Sequence, residues 1–294
     1  METDSTKADL LGGTWSEVVY TPESKLRHPL RLLREMHCDL WASRELAWRL
    51  MVRDIRGQYR QSFFGVAWAF MPPIVLATGF TLAGNAKVIN ISATDLPYPA
   101  YVMFSVMLWQ TFVEALNGPV QAVANAKQML TRINFPREAV VVAKVGEVFF
   151  NFLIKLILIV AVFLWYDMPV TRIAFLAPLA LCLLIVFGTF IGLLLAPIGA
   201  LYQDVSNGLN LLTGLWLFLT PVVFPVPSTG TFASIVRANP VTPLLVTTRE
   251  LATTGIVSDP DRFFAVSAVA LVGVLVTWVV FRLAMPFVIE RVSS

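Results

Sequence analysis

Four arginines, Arg49, Arg53, Arg56 and Arg60, recur at intervals of 4, 3 and 4 residues, and so fall on one face of a helix. Trp41, Trp48, Val52, Ile55 and Tyr59 recur at 7, 4, 3 and 4 on the neighbouring face. A helix with that pairing lies in a membrane interface, apolar side down, with its cations level with the lipid phosphates. Each arginine contributes about 1 kcal/mol of attraction to an anionic leaflet. Two readings fit. The row anchors the chain on the cytoplasmic surface, or it binds an anionic lipid headgroup such as a pyrophosphate. Near Gln61 and Ser62 the polar character ends and an apolar run begins, so the surface helix is expected to turn into one that crosses the membrane. Pro72 and Pro73 lie in that first span and predict a kink.

Other chemistry is sparse. The chain has no phosphate-binding loop of the form G-x-x-x-x-G-K-[ST], so it is not expected to hydrolyse ATP itself, and no nucleophile elbow or zinc-protease motif. Its two histidines, His28 and His37, lie in a basic arm. Cys38 and Cys182 are expected at different levels and unpaired. No catalytic residue, metal site or bound cofactor is expected, and a formal charge of +3 gives no case for nucleic acid.

The polar residues that remain are placed with purpose. Lys144, Glu147, Asn151 and Lys155 follow at 3, 4 and 4 and share one face of a predicted span. A charge as deep as Lys155 costs about 2.5–3.5 kcal/mol in a bilayer and needs a partner or water. Lys144 pairing with Glu147 while Lys155 snorkels is one arrangement. A stripe facing a conduit or a second subunit is the other, with Glu114 as a possible counter-charge. Aromatic rings are abundant: Phe63, Phe64, Trp68 and Phe70; Tyr98, Tyr101, Phe104, Trp109 and Phe112; Trp216 and Phe218. Their faces suit the C–H faces of sugars, although interfacial belts and helix packing explain many such residues.

These groups must be held by membrane helices. Of the 294 residues 57% are hydrophobic and 14% charged, against roughly 25% charged in a soluble domain. Six spans are predicted, near 63–84, 98–117, 140–165, 173–198, 207–225 and 263–285. With residue 1 cytoplasmic, sixteen Lys and Arg fall on inner segments and five on outer ones, which puts both termini inside. The first 30 residues lack the apolar core of a cleavable signal. The expected organisation is an arm at 1–37, an interfacial helix at 38–61, an all-α six-span domain at 62–286 and a tail at 287–294. The segment 226–262 holds two short apolar runs, Phe232–Val236 and Leu244–Leu251, too short to span. Gly188 and Gly192 form a G-x-x-x-G pair.

Arg53, Asp54, Arg56, Tyr59, Arg60, Ser62, Gly65, Trp68, Ala69 and Pro73 together resemble the leading helix and first span of ABC-2 type permeases that export polysaccharides such as O-antigen, teichoic acid and capsule. Phe135, Pro136 and Arg137 are similar to that family's helix for docking on its ATPase, and Lys127 and Arg132 share the segment. Tyr202 and Asp204 match its second inner turn, where Leu201 and Gln203 replace two arginines. Asn239, Pro240 and Pro243 resemble its re-entrant helices. The resemblance implies a homodimer working with two ATPase subunits, which bind ATP and Mg, and moving a lipid-linked glycan through the cell inner membrane. It also implies that Arg53, Arg56, Tyr59, Arg60, Trp68 and Trp216 meet lipid headgroup or glycan. Exporters of a drug or small lipid, secondary transporters or channels, and embedded glycan enzymes are the competing classes.

Overall fold

The computed structural model describes residues 29–60, 63–86, 94, 96–132, 137–168, 171–227 and 229–293, leaving aside the side chains of 29–33, 59, 127, 128, 130–132, 292 and 293. Among the described residues the chain is all-helical. The helices are α1 (Pro29–Ala42), α2 (Arg44–Arg60), α3 (Met71–Asn85), α4 (Tyr98–Arg132), α5 (Glu138–Trp165), α6 (Ala177–Leu201), α7 (Asp204–Leu217), α8 (Thr231–Ala238), α9 (Val241–Ala252) and α10 (Pro260–Ser293). The described residues up to Trp41 belong to one unit and those from Ala42 onward to a second. The helix predicted at 38–61 is therefore two helices, interrupted at Ser43. The two cysteines are unpaired.

Among the described residues three segments are long and apolar enough to cross a membrane: Glu138–Trp165, Arg172–Leu201 and Pro260–Arg291. They correspond to the third, fourth and sixth predicted spans. The outer faces of α5 and α10 stay exposed, with Leu153, Ile157 and Leu164 on one and Val269, Val272 and Val276 on the other. Such faces belong against lipid. α6 is the central helix and is more deeply buried.

The other three predicted spans differ from expectation. The second continues unbroken through Pro119 to Arg132, so Lys127–Arg132 extends α4 instead of forming a separate loop helix. The helical part of the first is 15 residues, Met71–Asn85, about 22 Å long. Pro72 and Pro73 do not kink it. They occupy its first turn, where a backbone N–H would lack an intrahelical partner anyway. The fifth ends at Leu217, and the apolar residues that follow form turns. The two short runs of 226–262 are helices, α8 and α9. The second is buried along nearly its whole length.

The core is built on the pairing of α4 with α6, the most extensive in the chain. Phe112, Leu116, Leu184 and Ile185 are fully enclosed there with Leu244 and Leu245 of α9. The G-x-x-x-G pair makes this approach possible. A methyl on Gly188 would lie 2.9 Å from the Phe112 carbonyl oxygen, and one on Gly192 would lie 2.3 Å from that of Leu116. Gly192→Ala must push the two backbones apart and should cost about 2–3 kcal/mol. Gly214→Ala on α7, with open space around it, should be neutral or stabilise by up to about 1 kcal/mol. Thermal unfolding in detergent distinguishes them, and equal melting temperatures would contradict the packing.

A second apolar cluster joins Val123, Val141, Leu193, Ala196, Phe281 and Met285 at the opposite end of the bundle from α8 and α9. A third seats α2 on α5 through Ala47, Leu50, Ala139, Val140 and Ala143. Gly146 of α5 leaves room there for the Met51 side chain.

Candidate functional site

α2 presents two kinds of surface. Its inward side is the small apolar set just named. Trp48 stays 64% exposed, and Arg49, Arg53, Arg56 and Arg60 are all exposed, as the spacing predicts. Arg49 pairs with Glu45 at 2.6 Å and Arg53 with Asp54 at 2.8 Å. Exposed pairs of this kind bind weakly and leave the cations available. Arg56 and Arg60 form no ion pair among the described residues. Tyr59 lies in the last turn of α2, its side chain outside the described set.

Beyond α2 the chain makes a 3₁₀ turn, Gly65–Ala69. Gly65 has φ +48°, a conformation that a side chain disfavours. Phe63 and Phe64 just before the turn and Trp68 within it are all largely exposed, in edge-to-face contact with centroids 5.2 and 5.8 Å apart. Behind it lies a cavity of about 270 Å³. Its walls are Gln58, Trp68, Gln110, Glu114, Asn151 and Lys155, with Gly65, Ala69 and Pro72.

Asn151 and Lys155, one end of the polar stripe of α5, form the back of this cavity. Lys155, 2% exposed, pairs with Glu114 of α4. Asn151 donates a second hydrogen bond to that carboxylate at 3.3 Å. Lys155 therefore turns inward to a counter-charge and does not snorkel. Nearer the other end of the stripe, Lys144 pairs with Glu147 at 2.8 Å, as one of the two arrangements requires. Amides, a carboxylate, an ammonium and an indole face around a cavity of this volume can hold a polyhydroxylated or otherwise polar group by hydrogen bonds and stacking.

The remaining aromatics divide. Tyr101, Phe104, Trp109 and Phe112 are buried in the core. Trp216 is half-buried: its ring meets Phe112 edge-on at 5.5 Å, and its indole N–H donates to Asn239 at 3.1 Å. The resemblance places Asn239 at the re-entrant helices, and its hydrogen bonds show what it holds together there. Its amide also donates to the Leu219 carbonyl (3.1 Å) and the Thr220 hydroxyl (2.8 Å), and its oxygen accepts the Val241 N–H (3.1 Å).

The proposed coupling residues come from segments that meet at one end of the bundle. Lys127 and Arg132 are in the last turns of α4, with side chains outside the described set, and Phe135 and Pro136 lie outside the described residues altogether. Arg137 immediately precedes α5. Tyr202 and Asp204 are exposed at the tight turn between α6 and α7, with Asp204 on the first turn of α7, where a carboxylate suits the helix dipole. Beside Arg137, the buried Glu138 pairs with Arg282 of α10 at 3.3 Å, a link between helix ends that spacing could not indicate.

The sequence matches the ABC-2 type transporter family over residues 45–252, from the start of α2 to the end of α9. The chain belongs to that family. It is an integral membrane protein and, as a member, a transport permease. The match takes in the arginine row, the cavity and the α8–α9 pair. This permease is 24% identical to an O-antigen export system permease protein, RfbA, of Myxococcus xanthus, over 83% of its own length and 92% of that relative's. It is 23% identical to an RfbA of Klebsiella pneumoniae, over 70% of its length and 79% of the relative's.

Proposed function

We propose that this permease is one half of a homodimeric exporter. It carries a lipid-linked polysaccharide across the cell inner membrane and is driven by two separate ATPase subunits that bind ATP and Mg. Its similarity to O-antigen export permeases supports the cargo class. In this reading α3 and α7, each with its flanking turn, cross as the first and fifth of six spans, and both termini are cytoplasmic. Sixteen positive residues against five support that orientation. The exposed apolar faces of α3 (Ile74, Val75, Leu82) and α7 (Leu211, Leu212, Leu215) are where the second copy packs.

One observation carries the reading: the arginine row of α2 leads into exposed aromatics that front a polar cavity. Arg53, Arg56 and Arg60 receive the phosphate of the lipid carrier. Trp68 offers the first sugar a stacking face, and Tyr59 of α2 belongs to the same headgroup and glycan set. ATP closure of the partner dimer pushes on Lys127–Arg137 and on the Tyr202–Asp204 turn, and the seam at α3 and α7 widens. Trp216 lines the far part of the path on its exposed side.

The test is reconstitution of the permease with its ATPase in proteoliposomes and measurement of lipid-linked glycan export. Neutralising Arg53, Arg56 and Arg60 together to glutamine should reduce export more than tenfold, since about three headgroup contacts of about 1 kcal/mol each are lost. Trp68→Leu should reduce it less, with basal ATP hydrolysis kept in both. Charge reversal at Arg132 and Arg137 should uncouple hydrolysis from export. Undiminished export by the triple variant would reject the headgroup role. Uphill movement of cargo with no ATPase present would reject the reading as a whole.

A further inference from the structure

A second cavity, of about 470 Å³, lies among the start of α4, the turns after α7, and α8–α10. Its most unusual wall residue is Arg249 of α9, only 7% exposed. One guanidinium nitrogen, Nη1, donates to the Ser105 hydroxyl at 2.8 Å and to the Pro221 carbonyl at 3.3 Å. The guanidinium carbon stands 4.1 Å from the centroid of the Tyr101 ring. Every one of these partners is neutral. Arginine keeps its charge when buried, and burying an uncompensated cation is costly. Among the described residues no carboxylate pairs with Arg249, and its Nε and Nη2 have no acceptor.

The carboxylates of the same cavity are engaged elsewhere. Glu250 accepts the Ser258 N–H at 2.9 Å and the Ser258 hydroxyl. Asp259 pairs with Arg262 at 3.3 Å. Arg237 also lines the space, donating to the Pro227 carbonyl at 3.3 Å. Three guanidinium groups thus share the cavity with two carboxylates. Thr242, another wall residue, is 6% exposed and its hydroxyl has no hydrogen-bond partner among the described residues. A permanent cation, spare N–H groups and an unmatched hydroxyl bordering one cavity define a site for an anion with several oxygens, because a guanidinium fork binds such oxygens in pairs.

We propose that this cavity is an oxyanion site that takes a phosphate or pyrophosphate group, with Arg249 as its fixed counter-charge. Anion binding there follows from the geometry alone. That the anion is the cargo's carrier phosphate, met on the far side of the membrane, rests on the function proposed above.

The purified full-length permease in phosphatidylcholine nanodiscs, without ATPase, is titrated with inorganic pyrophosphate by calorimetry and thermal shift. The wild type should bind and be stabilised. Arg249→Gln should weaken binding at least about tenfold, and Arg249→Lys, which keeps the charge but loses the fork, should weaken it less. Arg291→Gln, outside the cavity, should bind as the wild type does. If Arg249→Gln fails to fold, Arg249→Lys and the exposed Arg262→Gln carry the test, and both should bind more weakly. A folded wild type that binds no pyrophosphate, or Arg249 variants that bind it unchanged, would overturn the site. Repeating the titration in phosphatidylglycerol nanodiscs identifies the source. Competition assigns the site to a lipid headgroup, and undiminished binding assigns it to a soluble or carrier-borne phosphate. Because no export is measured, failure here leaves the proposed cargo standing, and failure of export leaves this site standing.

Discussion

Glu114→Gln should destabilise this permease by about 3–5 kcal/mol, the range for removing one partner of a buried ion pair. Lys155→Met should cost clearly less. The asymmetry follows from burial. The Lys155 side chain is 3% exposed and that of Glu114 is 33% exposed, toward the cavity. Without Glu114 the almost fully buried ammonium loses its counter-charge and has only neutral groups of the cavity wall beside it. Without Lys155 the carboxylate keeps the Asn151 amide and can turn to water in the cavity. The double variant Glu114→Gln/Lys155→Met should return to within about 1 kcal/mol of the wild type, because neither desolvated charge remains. A double-mutant cycle on unfolding in detergent measures this directly. Two mild and equal single effects would mean that the pair is wetted and of little structural weight. The cycle also bears on transport. If the double variant is stable but exports poorly, the charges serve the cavity and not the fold.

How much of this was legible beforehand depended on what each residue reports. Long apolar runs report burial or lipid, so α5 and α6 are legible to within a few residues, and α10 at its start, although its helix runs on past 285 to Ser293. The same signal misled at Val222–Phe224. Those residues are apolar because they are buried, but their backbone is a turn. Its carbonyls are satisfied by side chains: Val223 by the Tyr98 hydroxyl at 2.8 Å, Pro221 by Arg249, Leu219 by Asn239. Irregular backbone in a membrane protein is stable only when served in this way, and hydropathy carries no information about it. Proline usually kinks or ends a helix, yet Pro72 and Pro73 start one, and Pro119 sits within α4 against the gap left by Gly192. On α2 the outward arginines were plain from spacing. The inward Ala47 and Leu50 were not, because small apolar residues between arginines form no conspicuous stripe. Of the candidate site, the stripe Lys144–Lys155 was legible as a face, and Glu114 as a possible partner. That Lys155 chooses Glu114 required the α4–α5 packing.

Asn239 is the residue whose loss should damage the α8–α9 end most. Asn239→Leu keeps the volume and removes every polar contact. Two of the four orphaned groups can find water or a new partner, since Trp216 is half-buried and Leu219 is 42% exposed. The other two cannot, because Thr220 and Val241 are both 0% exposed. The Thr220 hydroxyl still donates to the Trp216 carbonyl at 3.0 Å, so its loss is partial, whereas the Val241 N–H is left bare at the start of α9. At about 1–3 kcal/mol for each buried group left unpaired, the expected destabilisation is about 2–4 kcal/mol. Asn239→Asp should fall between, because it keeps the acceptor for Trp216 and Val241 but sets a carboxylate against the Leu219 carbonyl. Trp216→Phe removes one bond of the four and should cost less than either. The measurement is thermal unfolding together with tryptophan emission, which should move to the red in Asn239→Leu as the indole loses its anchor. An Asn239→Leu protein that melts with the wild type would show that the turn after α7 is held by apolar packing alone. In that case α7 could shift during transport without breaking its link to α9. If the loss is as large as expected, the end of α7 and the start of α9 move as one piece, and a seam that widens at α7 must carry the α8–α9 pair with it.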